Sequence, residues 1–447
     1  MRTLVVFEDS GVDAFDLLCA VRGVFDLRCG AQTLLERIVT ACATERIVLI
    51  ARSEVRDLLR EAHADMTVGW PQKPHGRSGA KPAPGGDVVF VNGRLLVLGD
   101  DLERLLRADG PHAVTDGDFL VTARCGAQQA ELLVSHLETS LRAGATGEST
   151  VDFLRRRAEM VALHAIDARD VAPRNGSALL EHTWDLVRFN SAALLDDFRR
   201  GPGAAIADSA RIDSGAHLMQ IDAIHVAAGA RVRPGVVLDA EEGPITLDVN
   251  ADVQPQAVLR GPAYVGPNSL IKAGARIHAH TSLGPVCRIG GEVGSSVVQG
   301  YSNKQHDGFM GHAYLAEWVN LGADTNNSNL KNNYGNVRMW ETGRFVDTGL
   351  TFMGLIAADH LKTAINTQLN TGTVIGISSQ IFGAGFPPKY IPPFSWGGAE
   401  RMETYDLERA LHTARVVMER RKCELTPAYE AAFRLAFARA SKTATAG

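Results

Sequence analysis

Fourteen histidines are spread along the 447 residues. An imidazole, with an unperturbed pKa of about 6.5, is the side chain best placed to accept a proton near neutral pH. His306, His312 and His360 lie in or just after a polar stretch rich in Asn, Gly and Tyr at 297–344. A histidine positioned there as a general base would contribute roughly 10²–10⁴-fold in rate. A histidine in a loop is more often structural, so residue type alone does not choose among the three. Lys304 could hold a phosphate by charge, and Tyr314 could hydrogen-bond a sugar. Asn326, Asn327, Asn332 and Asn333 equally suit an internal amide ladder. His306-Asp307 invites a metal ion, with His312 and Asp324 as the nearest further ligands. That set lacks ligand spacing, and no metal is expected.

Composition narrows the classes these residues can serve. The formal charge is −5, which argues against nucleic-acid binding by bulk electrostatics. No apolar run approaches the ~20 residues of a membrane span, so no membrane role is expected. The start, MRTLVVFEDSG, meets Glu8 and Asp9 after one short apolar run and does not read as a signal peptide. Cys19, Cys29, Cys42, Cys125, Cys287 and Cys423 are scattered, without a C-x-x-C pair. A zinc finger, an iron–sulfur site and a disulfide scaffold are disfavoured, and a reducing cytoplasm is the expected setting.

The elements that position the candidates fall into three parts: an α/β domain at 1–200, a solenoid at 203–399 and a helical tail at 400–447. In the first, Leu4–Phe7 and Arg46–Ile50 read as strands. Asp87–Val91 and Leu95–Leu98 flank Asn92-Gly93, a hairpin signal. Helical spacing covers Gln32–Val39, Gln128–Arg142, Val151–Ala168 and Ala178–Phe198. Pro71–Gly86 reads as a Pro/Gly loop, and its GRSGAK string lacks the spacing of a P-loop. Gly201-Pro202-Gly203 breaks the chain.

After that break the period becomes six. Ile206, Ile212 and Leu218 are followed by Val226, Val232 and Leu238. Then come Leu247, Val253, Leu259, Val265, Ile271, Ile277, Leu283 and Ile289 without interruption. Neither a helix nor an ordinary strand has that period. Three short faces joined by tight corners do, each aliphatic residue pointing into a triangular prism. Small residues and glycine serve the corners. The pattern predicts a left-handed parallel β-helix with regular coils to about Gly300. An irregular insertion at 297–344, a resumption at Leu355–Ile381 and a proline-rich exit at GFPPKYIPPFSWGG follow. The tail carries an amphipathic stripe from Leu407 to Met418, and Thr426-Pro427 opens a second helix.

FEDSGVDAFDLLCAVRGVFDLRCGAQTLLERI, VNGRLL, WDLVRFN, GYSNKQHDGFMGHAYLAEWVNLGADTNNSNLKNNYG and GFPPKYIPPFSWGG resemble strings of the GlmU-like sugar nucleotidyltransferases. These are a divergent branch of the bifunctional uridylyltransferase/acetyltransferase enzymes. The resemblance spans nearly the whole chain and is most specific at Tyr301–Gly335. It implies a nucleotidyltransferase-like N-terminal half. It also implies a homotrimeric acyltransferase half that uses acyl-CoA, with acetyl-CoA the model, on small-molecule substrates held between neighbouring solenoids. GHAYL resembles the string carrying the family's catalytic histidine, which selects His312. Asn333-Tyr334-Gly335 resembles a substrate-binding NYDG, and Arg338 stands near the place of a family lysine.

There are departures. Val21, Arg22 and Gly23 stand where the family has Thr-Arg-Pro, and Asp324 where it has glycine. The Gly-rich triphosphate loop of ordinary sugar nucleotidyltransferases is absent. Arg22, Arg28 and Arg94 are then the candidates for nucleotide phosphate, and Mg²⁺ is expected only if that half is active. The leading expectation is an N-acyltransferase of amino-sugar phosphates or similar amines, fused to a degenerate nucleotidyltransferase-like domain. The alternatives are a sugar-1-phosphate nucleotidyltransferase trimerised by its solenoid, and a non-catalytic scaffold.

Overall fold

Thr3–Phe7, all five residues buried, is an interior strand of a seven-stranded mixed sheet in the computed structural model. The structure describes residues 2–42, 44, 46–71, 87–107, 110–143, 148–161, 164–167 and 177–445. Most of the Pro/Gly loop, residues 72–86, therefore lies outside the described residues. Two compact units are present. One comprises residues up to Leu27 together with Gln32–Glu181; the other comprises Arg28–Ala31 and His182 onward.

In the first unit, Arg46–Ile50 and Val88–Asn92 flank Thr3–Phe7 in parallel, as βα crossovers require. Phe119–Cys125 runs antiparallel between Val88–Asn92 and His112–Asp116. The apolar stripe of helix Ala127–Ala143, at Ala130, Leu133, Val134 and Leu137, packs with Phe153 and Leu154 onto Val5, Phe7, Val48 and Phe90.

Three local expectations are corrected. Asn92-Gly93 makes no hairpin: the Asn92 amide donates to Asp9 and to the Leu120 carbonyl. The chain then leaves the sheet, and Leu95–Leu96 pairs with Ala178–Leu179. The helix expected to reach Ala168 stops at Val161, and His164–Asp167 becomes an edge strand beside His112–Asp116. The helix expected from Ala178 begins only at Asp185, as Asp185–Arg188 and then Asn190–Arg200. Those helices belong to the solenoid unit, where Asn190 bonds the Gly30 amide, Ser282 and the His280 carbonyl.

The second unit is a three-sided parallel β-helix followed by helices, the fold class the hexapeptide period predicts. Its first face is a ten-stranded sheet; the second and third faces each stack six strands. Val265 pairs with Leu283 eighteen residues later, so three hexapeptides make one coil. On the second face Val232, Val253, Ile271 and Ile289 stack inward, all fully buried. Each inner residue is covered by the coils above and below, which is why no coil is stable alone.

The coils do not fail at 297. Val297–Gly300, Asn303–Lys304, Phe309–Gly311 and Tyr314–Glu317 continue them on all three faces. They are shorter than eighteen residues: Leu283 pairs with Val298, fifteen on, and Val298 with Leu315, seventeen on. The true insertion comes later, between the coil strand Asn326–Asn327 and the resumption at Leu355–Ala357. It contains the antiparallel hairpin of Arg338–Glu341 with Arg344–Asp347. In the tail, Asp406 caps helix Leu407–Glu419, and Thr426 bonds the Tyr429 amide at the start of helix Pro427–Thr445. Ala414, Met418 and Leu425 cover Trp318 on the solenoid flank.

Candidate active site

In a three-sided coil the inward positions must be apolar and the outward ones are free, so a corner is where a side chain can be polar and still held. His312 occupies the corner between the third and first faces, with φ 47°. His280 and Ser295 stand on the same edge in preceding coils, at φ 63° and 47°. The His312 amide donates to the Gly294 carbonyl, and its carbonyl accepts from the Gly354 amide. The backbone is thus fixed from both neighbouring coils.

The imidazole stacks on Phe352, ring centres 5.2 Å apart. Its Nδ1 lies 2.9 Å from the side-chain nitrogen of Asn329. Burial, aided by the nearby His280, pushes its pKa down to about 4. The ring is therefore neutral at physiological pH. Among the described residues Nε2 has no hydrogen-bond partner. An amide nitrogen facing Nδ1 fixes the tautomer with the proton on Nε2. A half-turn of the Asn329 amide presents its oxygen to Nδ1–H instead and frees Nε2 to accept a proton. Asn329 and Phe352 were not singled out by sequence. The available signal was spacing, since Asn329 is seventeen residues beyond His312, one short coil on.

The other solenoid candidates are not gathered around His312 as free groups. Lys304 points into the prism, where it takes the place of Ile289 in the preceding coil. It is 2% exposed and donates to the His306 carbonyl at 2.5 Å. Burial lowers its pKa to about 8, opposed by Asp307 and Asp324. The Tyr314 hydroxyl donates to Gln299 Oε1 at 2.6 Å, and the Arg28 main-chain amide donates to both side chains. Asn333 and Arg338 are exposed on the insertion, Asn333 closing a turn onto Gly335 and Arg338 holding the Phe345 carbonyl. His306 is exposed, whereas His360 is a core histidine bonded to Tyr429 and packed on Trp318 and Phe433. Asn326 and Asn327 do bond the preceding coil, at Phe309 and Gly311. Asn332 and Asn333 do not extend that ladder.

The arginines nominated for nucleotide phosphate are all buried. Arg94, 1% exposed, grips Asp9 through Nε and Nη2 at 2.9 and 2.8 Å. Gly11 is required there: a Cβ would lie 2.3 Å from Arg94 Nη2. Arg22 donates to the Leu18 carbonyl. Arg28 lies in the solenoid unit with its guanidinium on the Gln299 and Ala31 carbonyls. Sequence reasoning missed Glu8 and Arg52. Glu8, fully buried, accepts from the Arg52 guanidinium, the Arg52 amide and the Val24 amide. Arg52 also donates to the Cys19 and Arg22 carbonyls. The segment standing where a Gly-rich loop is expected is thereby pinned from within.

Among the described residues no three His, Cys, Asp or Glu side chains are grouped to hold a metal ion. The two carboxylates at the end of Thr3–Phe7, Glu8 and Asp9, face guanidinium groups, partners unsuited to Mg²⁺ ligands.

Residues 4–201 match the sugar nucleotidyl transferase family model. A bifunctional sugar-1-phosphate nucleotidylyltransferase/acetyltransferase of Sulfurisphaera tokodaii is 30% identical over 119 residues, 26% of this chain and 28% of its own length. The aligned part thus spans little more than a quarter of that relative. Two UDP-N-acetylglucosamine acyltransferases also align. That of Francisella novicida has a TM-score of 0.27 at 15% identity, covering 51% of this chain and 74% of its own. That of Bacteroides fragilis 9343 has a TM-score of 0.23 at 13% identity, covering 52% and 96%.

Proposed function

We propose, for a chain whose residues 4–201 match the sugar nucleotidyl transferase family model, that the working site lies on its solenoid. The reading is an acyl-CoA-dependent N-acyltransferase acting on an amino-sugar phosphate or similar amine. The single observation that carries it is His312: a neutral imidazole, held on both backbone sides, stacked on Phe352 and oriented through Nδ1. The acetyltransferase half of the Sulfurisphaera tokodaii relative's name supports the same class.

In this mechanism Nε2 of His312 takes a proton from the amine as its nitrogen attacks the thioester carbonyl. A C–N bond forms, the tetrahedral intermediate collapses, the C–S bond breaks and the thiolate leaves with a proton returned from the imidazolium. Asn329, with its oxygen on Nδ1–H, is the positioning residue that keeps the reactive tautomer. A homotrimer is part of the proposal, since Phe352, 46% exposed beside His312, leaves one side of the base open to a neighbouring chain.

The test is incubation of the full chain with acetyl-CoA and a panel of amines and amino-sugar phosphates, following thiol release. Release that depends on one amine class and is lost in His312→Ala supports the proposal. Absence of release with every acceptor would favour a binding or scaffolding role. Sugar-1-phosphate nucleotidyl transfer is the second reading, favoured by the family match of the N-terminal half. The carboxylate-capped amides of that half stand against it.

A further inference from the structure

We propose that the solenoid unit carries a second ligand site, on a different edge from His312, that takes a small molecule bearing a multiply charged phosphate. A cavity of about 540 Å³ opens on the second face beneath the end of helix Leu407–Glu419. Arg288, Lys362, Arg420 and Arg421 line it, with Tyr301 and Trp318 at one side and amides of the coils between them. Among the described residues, none that line it is acidic. Tyr301, Trp318 and His360 are successive left-handed corners between the first and second faces. His312 lies on the corner between the third and first, so the two sites do not share an edge.

Three guanidinium groups and the Lys362 amine crowd positive charge around one cavity, and the grouping leaves a donor unsatisfied. Arg421 donates through Nη2 to Asn303 at 3.0 Å, yet among the described residues its buried Nε has no partner. Burial, with Arg288 and Arg420 alongside, pushes the Arg421 pKa down. Lys362 is held by the Trp318 and His360 carbonyls at 2.7 and 3.1 Å. Burial lowers its pKa to about 7, opposed by Asp359. A buried donor left unpaired is costly, and an anion supplies what these groups lack. A planar guanidinium is also the donor best matched to phosphate oxygens. The volume accommodates a phosphorylated small molecule and excludes a folded partner. This site stands independently of the acyl-transfer reading.

Calorimetric titration of the full chain with inorganic pyrophosphate, and separately with adenosine 3′,5′-bisphosphate, tests it. One saturable site per chain is expected for at least one probe. Arg421→Gln should weaken it about tenfold or more, the worth of a lost charge-assisted hydrogen bond. Arg420→Gln, exposed and just past the end of the helix, is the variant least able to disturb folding and should weaken binding in the same direction. His312→Ala should leave the affinity unchanged. Binding near pH 7 should be accompanied by proton uptake, seen as buffer-dependent heat, which Lys362→Met abolishes. Tighter binding of the bisphosphate would assign a nucleoside ligand, and tighter binding of pyrophosphate a polyphosphate one. No saturable heat with either probe overturns the proposal. So does an affinity untouched by both arginine substitutions in folded protein.

Discussion

At the scale of single residues, His312 and Asn329 make the sharpest claims. His312→Ala should lower thiol release by about 10²-fold or more, the range for loss of a positioned base. The melting temperature should change little, since the ring lies at a corner and outside the aliphatic stacks; His306→Ala and His360→Ala are the controls. If His312→Ala stays active while a control is dead, the base is that other histidine. The pH profile is equally specific. A base works only when neutral, and burial holds the His312 pKa near 4. The limb assigned to it should fall as pH drops through about 4, well below the ordinary value near 6.5. The folded pKa is below the unfolded one, so the stabilisation linked to this group is complete above ~6.5 and is lost as pH falls toward 4. Asn329→Asp places a carboxylate on Nδ1–H, fixes the reactive tautomer and should move that limb upward; Asn329→Leu should lower turnover without moving it upward. The acceptor amine adds its own limb, which follows the amine used and not residue 329. Identical profiles for the Asn329 variants and the parent would remove Asn329 from the mechanism.

At the scale of elements, the coil decides what a residue can be. Ile271 sits inside the prism between Val253 and Ile289. Ile271→Asp should cost several kcal/mol and collapse the melting transition, because the carboxylate would be buried without a partner. Lys304 occupies the equivalent inward place one coil beyond Ile289, with burial lowering its pKa to about 8. Lys304→Met should be neutral or stabilising in thermal unfolding at pH 7, because it removes a buried charge. A lower melting temperature together with lost acceptor binding would return Lys304 to the site. The same geometry explains what was legible beforehand. Eight aliphatic residues at a strict spacing of six, Leu247 to Ile289, announce the coil because every inward place there is aliphatic and every coil is eighteen residues. From Val298 the coils shorten to fifteen and seventeen residues, and Lys304 takes an inward place. The period vanishes although the prism continues. With the register hidden, Lys304 and Tyr314 read as surface groups, Asn329 as one amide among many, and His312 stood out only through its neighbours in GHAYL. In the first unit, Asn92-Gly93 carried the local signal of a hairpin. The long-range bonds of Asn92 to Asp9 and Leu120 overruled it, a tertiary contact that local pattern does not contain.

At the scale of the whole molecule, two expectations concern what the chain assembles into and what its halves do. Light scattering at micromolar concentration should give three times the 48.0 kDa chain mass; a monomer there would refute the proposed trimer. The second concerns nucleotidyl transfer. A triphosphate is held in an open cradle of main-chain N–H groups, helped by basic side chains. The corresponding segment here has such N–H groups, but carboxylates already hold them. Gly11 donates to Asp9, Gly23 to Asp26 and Val24 to Glu8. Arg94 and Arg52, the charges that would meet phosphate, are paired with Asp9 and Glu8. A nucleotide would have to displace three acids from three amides while facing their charge. Pyrophosphate release from UTP or dTTP with a panel of sugar 1-phosphates and Mg²⁺ should therefore be weak or absent, while thiol release from acetyl-CoA proceeds in the same preparation. Arg52→Ala, which breaks the pin on Glu8, should lower the melting temperature and gain no pyrophosphorylase activity. Robust pyrophosphate release by the parent chain, abolished by Arg22→Ala, would show that the segment opens in solution and that this unit transfers nucleotides.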